Sequence, residues 1–402
     1  TILMQVFIVY NMKVKYPVCF TIKEEKSLRE IYLDNSATTK VCESGIEKAT
    51  EMMRENYGNP SSLHDKGFQS QKEIENARKI IAKELSTESD EIYFTSGGTE
   101  SNNLAIFGSV NSMRRRGNKI VTTAIEHSSV YASCKELEEN GFQVVYLQPD
   151  ATGCIKKEQI LSAIDEDTIL VSLMMVNNEV GSILPVEEVR KCIEQKHSPA
   201  IFHVDAVQAF GKIPVKANKI KADLISISAH KVHAPKGVGV LYKAKNKRIH
   251  PIIFGGEQQD KIRPGTESAP LIAAFGAAVS EFELEKNYEK ATLLKEYLTE
   301  QLSKIDGIML NSGENALPYV VNFSTGNIKA ETMLHFLSSR GVYVSGGSAC
   351  AKGKKSRVLK ALGFDDKRIT SSIRVSFSKY NTKDDIDGFI FYLKEGINTL
   401  VK

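Results

Sequence analysis

No apolar run in this chain approaches the roughly 20 residues that a membrane-spanning helix needs, which excludes an ordinary helical membrane protein. The N-terminal ILMQVFIVY is apolar but lacks the basic lead and small-residue cleavage site of a signal peptide, so a strand is expected there. Charge of one sign is also lacking. Lys and Arg number 53 against 49 Asp and Glu, and the net +4 is too diffuse to point to nucleic acid. The local RRRG at 114–117 reads as a solvated helix end. Six cysteines show neither metal-ligand nor redox spacing, which points to a reducing compartment and a cytoplasmic location. There is no internal repeat, low-complexity segment or flexible linker. What remains is 402 residues with 42% hydrophobic content, enough for one large α/β domain plus a smaller one.

Within that frame the segment Ser228-Ala229-His230-Lys231 stands out, between the apolar runs ADLISIS and GVGVLY. A lysine at such a strand-loop-strand junction, crowded by small polar residues and a histidine, can lose its proton and form a Schiff base with a carbonyl. Alone, the motif more often describes an ordinary surface lysine. Four further segments supply the other parts of a pyridoxal phosphate site. Asp205 closes the run AIFHV and suits the ring nitrogen, whose protonated form withdraws electrons, although a carboxylate there also suits a helix N-cap before AVQAF. Gln208, one turn on, suits the phenolic oxygen. Thr95 to Ser101 form a glycine-rich turn through Gly97 and Gly98 that opens a helix, a backbone cradle for phosphate, with Thr99, Ser228 and His230 as added polar groups. His127 follows KIVTTAIE, where an imidazole can stack on the pyridine ring and handle protons, and Asn178 follows TILVSLMMV. Each polar candidate falls at a strand end on the same inferred sheet edge, and it is this convergence that argues for a site.

The stretches YLDNSATT, GNPSSLH, TSGGTESNN, EHSSV, NNEVGS, VDAVQ, SAHKVHAPKGVGVLY, RPGTES, GGSAC and SSIRVSFS occur in family order from about Ile31 almost to the C-terminus. Through them the chain resembles the cysteine desulfurases of the NifS/IscS type, pyridoxal-phosphate enzymes of the aminotransferase class V family with the type I fold. The resemblance implies a Schiff base at Lys231, Asp205 on the pyridinium, Gln208 on the phenolic oxygen, His127 stacked, and phosphate contacts from Thr99, Ser228 and His230. It implies a further phosphate contact from Thr266 of a second subunit, hence a homodimer with its site at the interface. Arg374 matches the residue that grips the substrate carboxylate, and Asn35 and Asn178 match residues on the substrate side. Cys350, in SGGSAC, matches the thiol that takes sulfur from L-cysteine as a persulfide and passes it to an acceptor protein for iron-sulfur clusters or tRNA thiolation.

The expected division is 1–41 as an extension and a segment joining the small domain, 42–284 as the large cofactor domain, and 285–402 as the small domain with the cysteine loop. One long helical run, Ala269 to Lys304, is expected to bridge the two. Against the family pattern, most of 1–30 is extra, the loop after Cys350 is lysine-rich and shorter, and the chain stops soon after GFIFYLKEGINTLVK, which puts the usual scaffold partner in question. Lys352, Lys354, Lys355 and Arg357 are expected in solvent around the thiol, where their field favours thiolate or steers an acidic partner, or where they only keep the loop soluble. Selenocysteine lyase, another class V activity and a non-catalytic sulfur-relay subunit stay open as alternatives.

Overall fold

The computed structural model describes residues 29–346 and 355–400. The expected N-terminal strand and Cys350 with Lys352 and Lys354 lie outside them. Near-continuous apolar runs such as TILVSLM, IFHVD and LISIS are buried along their whole length, as strands covered on both faces must be. They build a seven-stranded sheet in the spatial order Ile92–Thr95, Gly239–Lys243, Leu224–Ser228, Ile201–Asp205, Thr168–Met174, Lys119–Thr123, Gln143–Leu147. Only Gly239–Lys243 runs antiparallel to its neighbours, so the other strands release their C-terminal ends on one edge. His203 lies inside the sheet between Ser172 Oγ at 2.8 Å and Ser226 Oγ at 2.9 Å. Burial there pushes its pKa down to about 3.

From Lys119–Thr123 the chain moves out to the edge strand Gln143–Leu147 and then returns to Thr168–Met174 on the other side. The loops leaving Lys119–Thr123 and Thr168–Met174 therefore diverge, opening the crevice where open α/β sheets place ligands. Those loops carry His127 and Asn178.

A four-stranded antiparallel sheet stands apart, ordered Ser345–Gly346, Ser372–Ser376, Val320–Ser324, Met309–Leu310. Its apolar cluster joins Phe323, Val375 and Phe389 to Ile31 and Leu33, so residues from the start of the described chain complete it. Ile31–Tyr32 pairs in parallel with Val342–Tyr343, and Asp34 bridges to Ser376.

Two local expectations need correction. The run 269–304 is two helices, Ala269–Ser280 and Leu284–Ser303. The break lets Phe282 pack on Phe210, ring centroids 5.4 Å apart, and lets Glu281 pair with Lys379 at 2.8 Å. AVQAF is a turn and not a helix: Ala206 O accepts from the N–H groups of both Ala209 and Phe210, and Gly211 at φ +72° redirects the chain. The expected solvated RRRG does follow the helix Gly98–Met113, with all three arginines exposed.

Candidate active site

The strand Ile92–Thr95 runs into Gly97, at φ +152°, and then into the 16-residue helix Gly98–Met113. Close approach requires glycine at 98 and 239: a Cβ on Gly98 would lie 2.8 Å from Val207 Cγ2, and one on Gly239 would lie 2.6 Å from Gly97 Cα. The result is a backbone cradle at a helix N-terminus, the arrangement that binds phosphate. Gly98, Thr99, Ser228 and His230 line the cavity of about 590 Å³ above it. Ser228 Oγ is buried and has no hydrogen-bond partner among the described residues, so it is a donor awaiting an acceptor. His230 Nδ1 meets Thr38 Oγ1 at 3.2 Å, and burial, reinforced by Lys231, pushes its pKa down to about 4.

Lys231 ends the short helical turn Ala229–Lys231 that follows the strand Leu224–Ser228, and it faces the same cavity. Its Nζ donates to the carbonyls of Ser36 at 2.6 Å and Ala37 at 2.8 Å. Gln208 Nε2 donates to the same Ser36 carbonyl at 3.0 Å. The NSATT segment thus forms a cavity wall through its backbone. Asn35 itself is turned away, its amide donating to Ser376 O at 2.9 Å and Asn381 Oδ1 at 3.2 Å, so it ties the wall to the small sheet and is not brought into the cavity lining.

Asp205 ends its strand as expected. It is 4% exposed, with Oδ1 accepting from Val207 N at 3.0 Å, a local turn bond, and Oδ2 accepting from Asn102 Nδ2 at 2.7 Å. Asn102 also donates to Ser129 Oγ at 2.9 Å, and Ser129 Oγ meets His127 Nδ1 at 2.8 Å. A hydrogen-bonded chain therefore connects the carboxylate to the imidazole. Burial lowers the His127 pKa against the opposing pull of Asp205, with Lys231 and Arg357 adding to the fall. Asn102 escaped the sequence reading, although it sits in the quoted TSGGTESNN, one helical turn after the glycines.

Arg374 lies on the inner strand Ser372–Ser376 and is 1% exposed. Nη2 pairs with Asp34 at 2.9 Å, Nη1 donates to Asn178 O at 2.9 Å, and Nε is buried without a partner among the described residues. Arg374 and Asn178 both line the cavity. Asp34 was missed, although it stands beside Asn35 in YLDNSATT. Burial raises its pKa, while Arg374 and Lys231 oppose the rise.

Glu126 and Glu179 also line the cavity and were not singled out from sequence. Burial raises Glu126 to about 8; Oε1 accepts from Thr123 Oγ1 at 2.7 Å and Met174 N at 2.9 Å, while Oε2 has no partner among the described residues. Burial raises Glu179 to about 7. Arg357 departs from its expected place in solvent. It turns inward, donates to the carbonyls of Ala124 and Glu126, and stacks over the Tyr131 ring at 3.8 Å because that ring and those carbonyls match a planar cation. Lys355 does remain exposed, paired with Asp366 at 2.7 Å. Thr266 is exposed and does not line this cavity within its own chain.

The donor set fits pyridoxal phosphate: a glycine cradle with a hydroxyl that has no partner among the described residues for the phosphate, a buried carboxylate on an asparagine, and a lysine and an arginine lining one cavity. The aminotransferase class-V family model matches residues 31–389. The IscS cysteine desulfurase of Dictyoglomus turgidum is 40% identical over 378 residues, covering 92% of this chain and 95% of that protein. Among solved structures, a NifS-like protein superposes with a TM-score of 0.86 at 38% identity, covering 92% of this chain and 99% of that one. The structure of SspA in complex with cysteine superposes with a TM-score of 0.77 at 34% identity, covering 87% and 99%. With its cavity at the sheet's switch point and this likeness along nearly its whole length, the chain belongs to the aminotransferase class-V family, among its NifS/IscS-type cysteine desulfurases.

Proposed function

We propose that this chain takes sulfur from L-cysteine, releasing L-alanine and holding the sulfur as a persulfide on Cys350 for an acceptor protein. The observation that carries the reading is the placement of Lys231, Arg374 and the glycine cradle around one cavity at the switch point. Pyridoxal phosphate, when bound, supplies an electron sink for the pair released at the substrate's Cα.

Gly98, Thr99, Ser228 and His230 would hold its phosphate, Asp205 its ring nitrogen, Gln208 its phenolic oxygen, and Lys231 its carbonyl carbon. Asp205, fixed by Asn102 and the Val207 N–H, is rigid enough to keep its carboxylate on one atom. Arg374, held on both sides by Asp34 and Asn178, presents a pre-oriented cation to the substrate carboxylate. Burial keeps His127 neutral near pH 7, so it can accept and return a proton. Lys231 Nζ is the base at the substrate's Cα. The Cys350 thiolate forms an S–S bond to the substrate sulfur as that sulfur's bond to carbon breaks; the electron pair left on carbon takes up protons, and alanine leaves.

The same reading includes a homodimer in which Thr266 of one subunit reaches the other's phosphate, the domain division at 284/285, and an iron-sulfur or tRNA-thiolation acceptor. Among the described residues no helix is long and apolar enough to cross a membrane.

The test is product analysis with L-cysteine and a thiol reductant. Equal amounts of sulfide and alanine are expected. Amino transfer to a keto acid without sulfide would contradict the proposal.

A further inference from the structure

Lys212 is a buried amine that the chemistry above does not use; burial, reinforced by Lys231 and Arg374, pushes its pKa down to about 7. It is 6% exposed and follows the turn at Gly211. The charged groups acting on it are Lys231 and Arg374; it in turn acts on His230 and His233, while Glu281 and Lys379 line the small cavity beside it. Its Nζ donates to Gln208 Oε1 at 2.9 Å.

That contact constrains Gln208. An amide side chain can present its oxygen or its NH2 group in either direction, whereas an ammonium only donates. While Lys212 is protonated, Gln208 must therefore turn Oε1 to it, and Nε2 then faces Ser36 O at 3.0 Å, the same carbonyl that takes Lys231 Nζ at 2.6 Å. Gln208 lines the cavity, and Nε2 carries a second hydrogen that Ser36 O does not take.

We propose that Lys212 is a positioning residue: it locks the Gln208 amide with its NH2 group toward the cavity, so that Gln208 donates to the anionic phenolic oxygen of the bound cofactor. This rests on the reading of the cavity as a pyridoxal-phosphate site. A donor on that oxygen stabilises its proton-free form. Losing the donor lets the neighbouring Lys231–cofactor link keep its proton to higher pH.

The experiment titrates the visible band of that link in cofactor-loaded wild type, Lys212→Met, Gln208→Met and the double variant. Lys212→Met is expected to raise the midpoint by about one pH unit, the scale of one hydrogen bond to a charged oxygen. In the Gln208→Met background the same substitution should move it less than half as far, because the lock has nothing left to orient. Lys212→Gln, which retains a donor, should recover part of the wild-type midpoint. Methionine preserves the stem and removes a buried charge, so thermal stability should not fall. An equal shift in both backgrounds would make Lys212 a bare charge and overturn the proposal, as would no shift in either. A wild-type protein that gives no visible band would instead overturn the cofactor reading, and this inference with it.

Discussion

Arg374 tests the site at the level of single residues. A guanidinium held at 2.9 Å on each side by Asp34 and Asn178 meets a carboxylate with its orientation already set. Arg374→Lys loses the planar fork and should weaken cysteine binding by about 1.5–3 kcal/mol; unchanged affinity in a spectral titration would assign the carboxylate elsewhere. Glu126 gives a pH signature. Its carboxyl has a folded pKa of about 8 against an ordinary 4.5, so its stabilising contribution is fully present below pH 4.5 and is lost as pH rises toward 8. Glu126→Gln cannot ionise, and its stability relative to wild type should rise across that window by up to about 1.4 kcal/mol per pH unit. Denaturant melts at pH 5 and pH 8 with the same difference between the two proteins would refute this. Lys231, Asp205 and His127 were legible in the sequence because each follows an apolar run at a strand end. Asn102, Asp34 and Glu126 were not, since nothing local marks a residue whose partner is 103, 340 or 48 positions away.

At the scale of elements, the strand-glycine-helix unit Ile92–Met113 makes the phosphate cradle, and it needs a partner strand that also approaches closely. Gly239, in the antiparallel strand beside it, is that partner, because a Cβ there would lie only 2.6 Å from Gly97 Cα. Ser228→Ala removes a hydroxyl that is buried and without a partner among the described residues, so the fold should lose little while cofactor affinity falls about 10-fold or more, the scale of one hydrogen bond to a charged group. Equal cofactor affinity in the variant would remove Ser228 from the phosphate site. The strand and helix alternation of the large sheet was readable from apolar periodicity. The break at 281–283 was not, because no local helix-breaking residue marks it and the contact it permits, Phe282 on Phe210, is 72 residues apart. Arg357 misled for a related reason: lying next to a lysine-rich stretch, it read as one more solvent charge until the fold brought Tyr131 and two carbonyls to it.

At the scale of the whole molecule, the cavity gathers residues from both sheets: Lys231 and His127 follow strands of the large sheet, Arg374 lies in the small one, and Ser36 lies on the segment that ties them. Thr266 is exposed in its own chain, which accords with a partner's phosphate as its target. Sedimentation equilibrium of the cofactor-loaded protein should return twice the 44.6 kDa chain mass, and a fully active monomer would remove Thr266 from the site. The central claim is that sulfur moves from substrate to Cys350, and intact-mass and peptide mass spectrometry after a brief exposure to L-cysteine without reductant tests it most directly. The expected result is one added sulfur, on the peptide bearing Cys350 and absent from Cys350→Ala. Steady sulfide production with no added mass on Cys350, or undiminished turnover in Cys350→Ala, would contradict it.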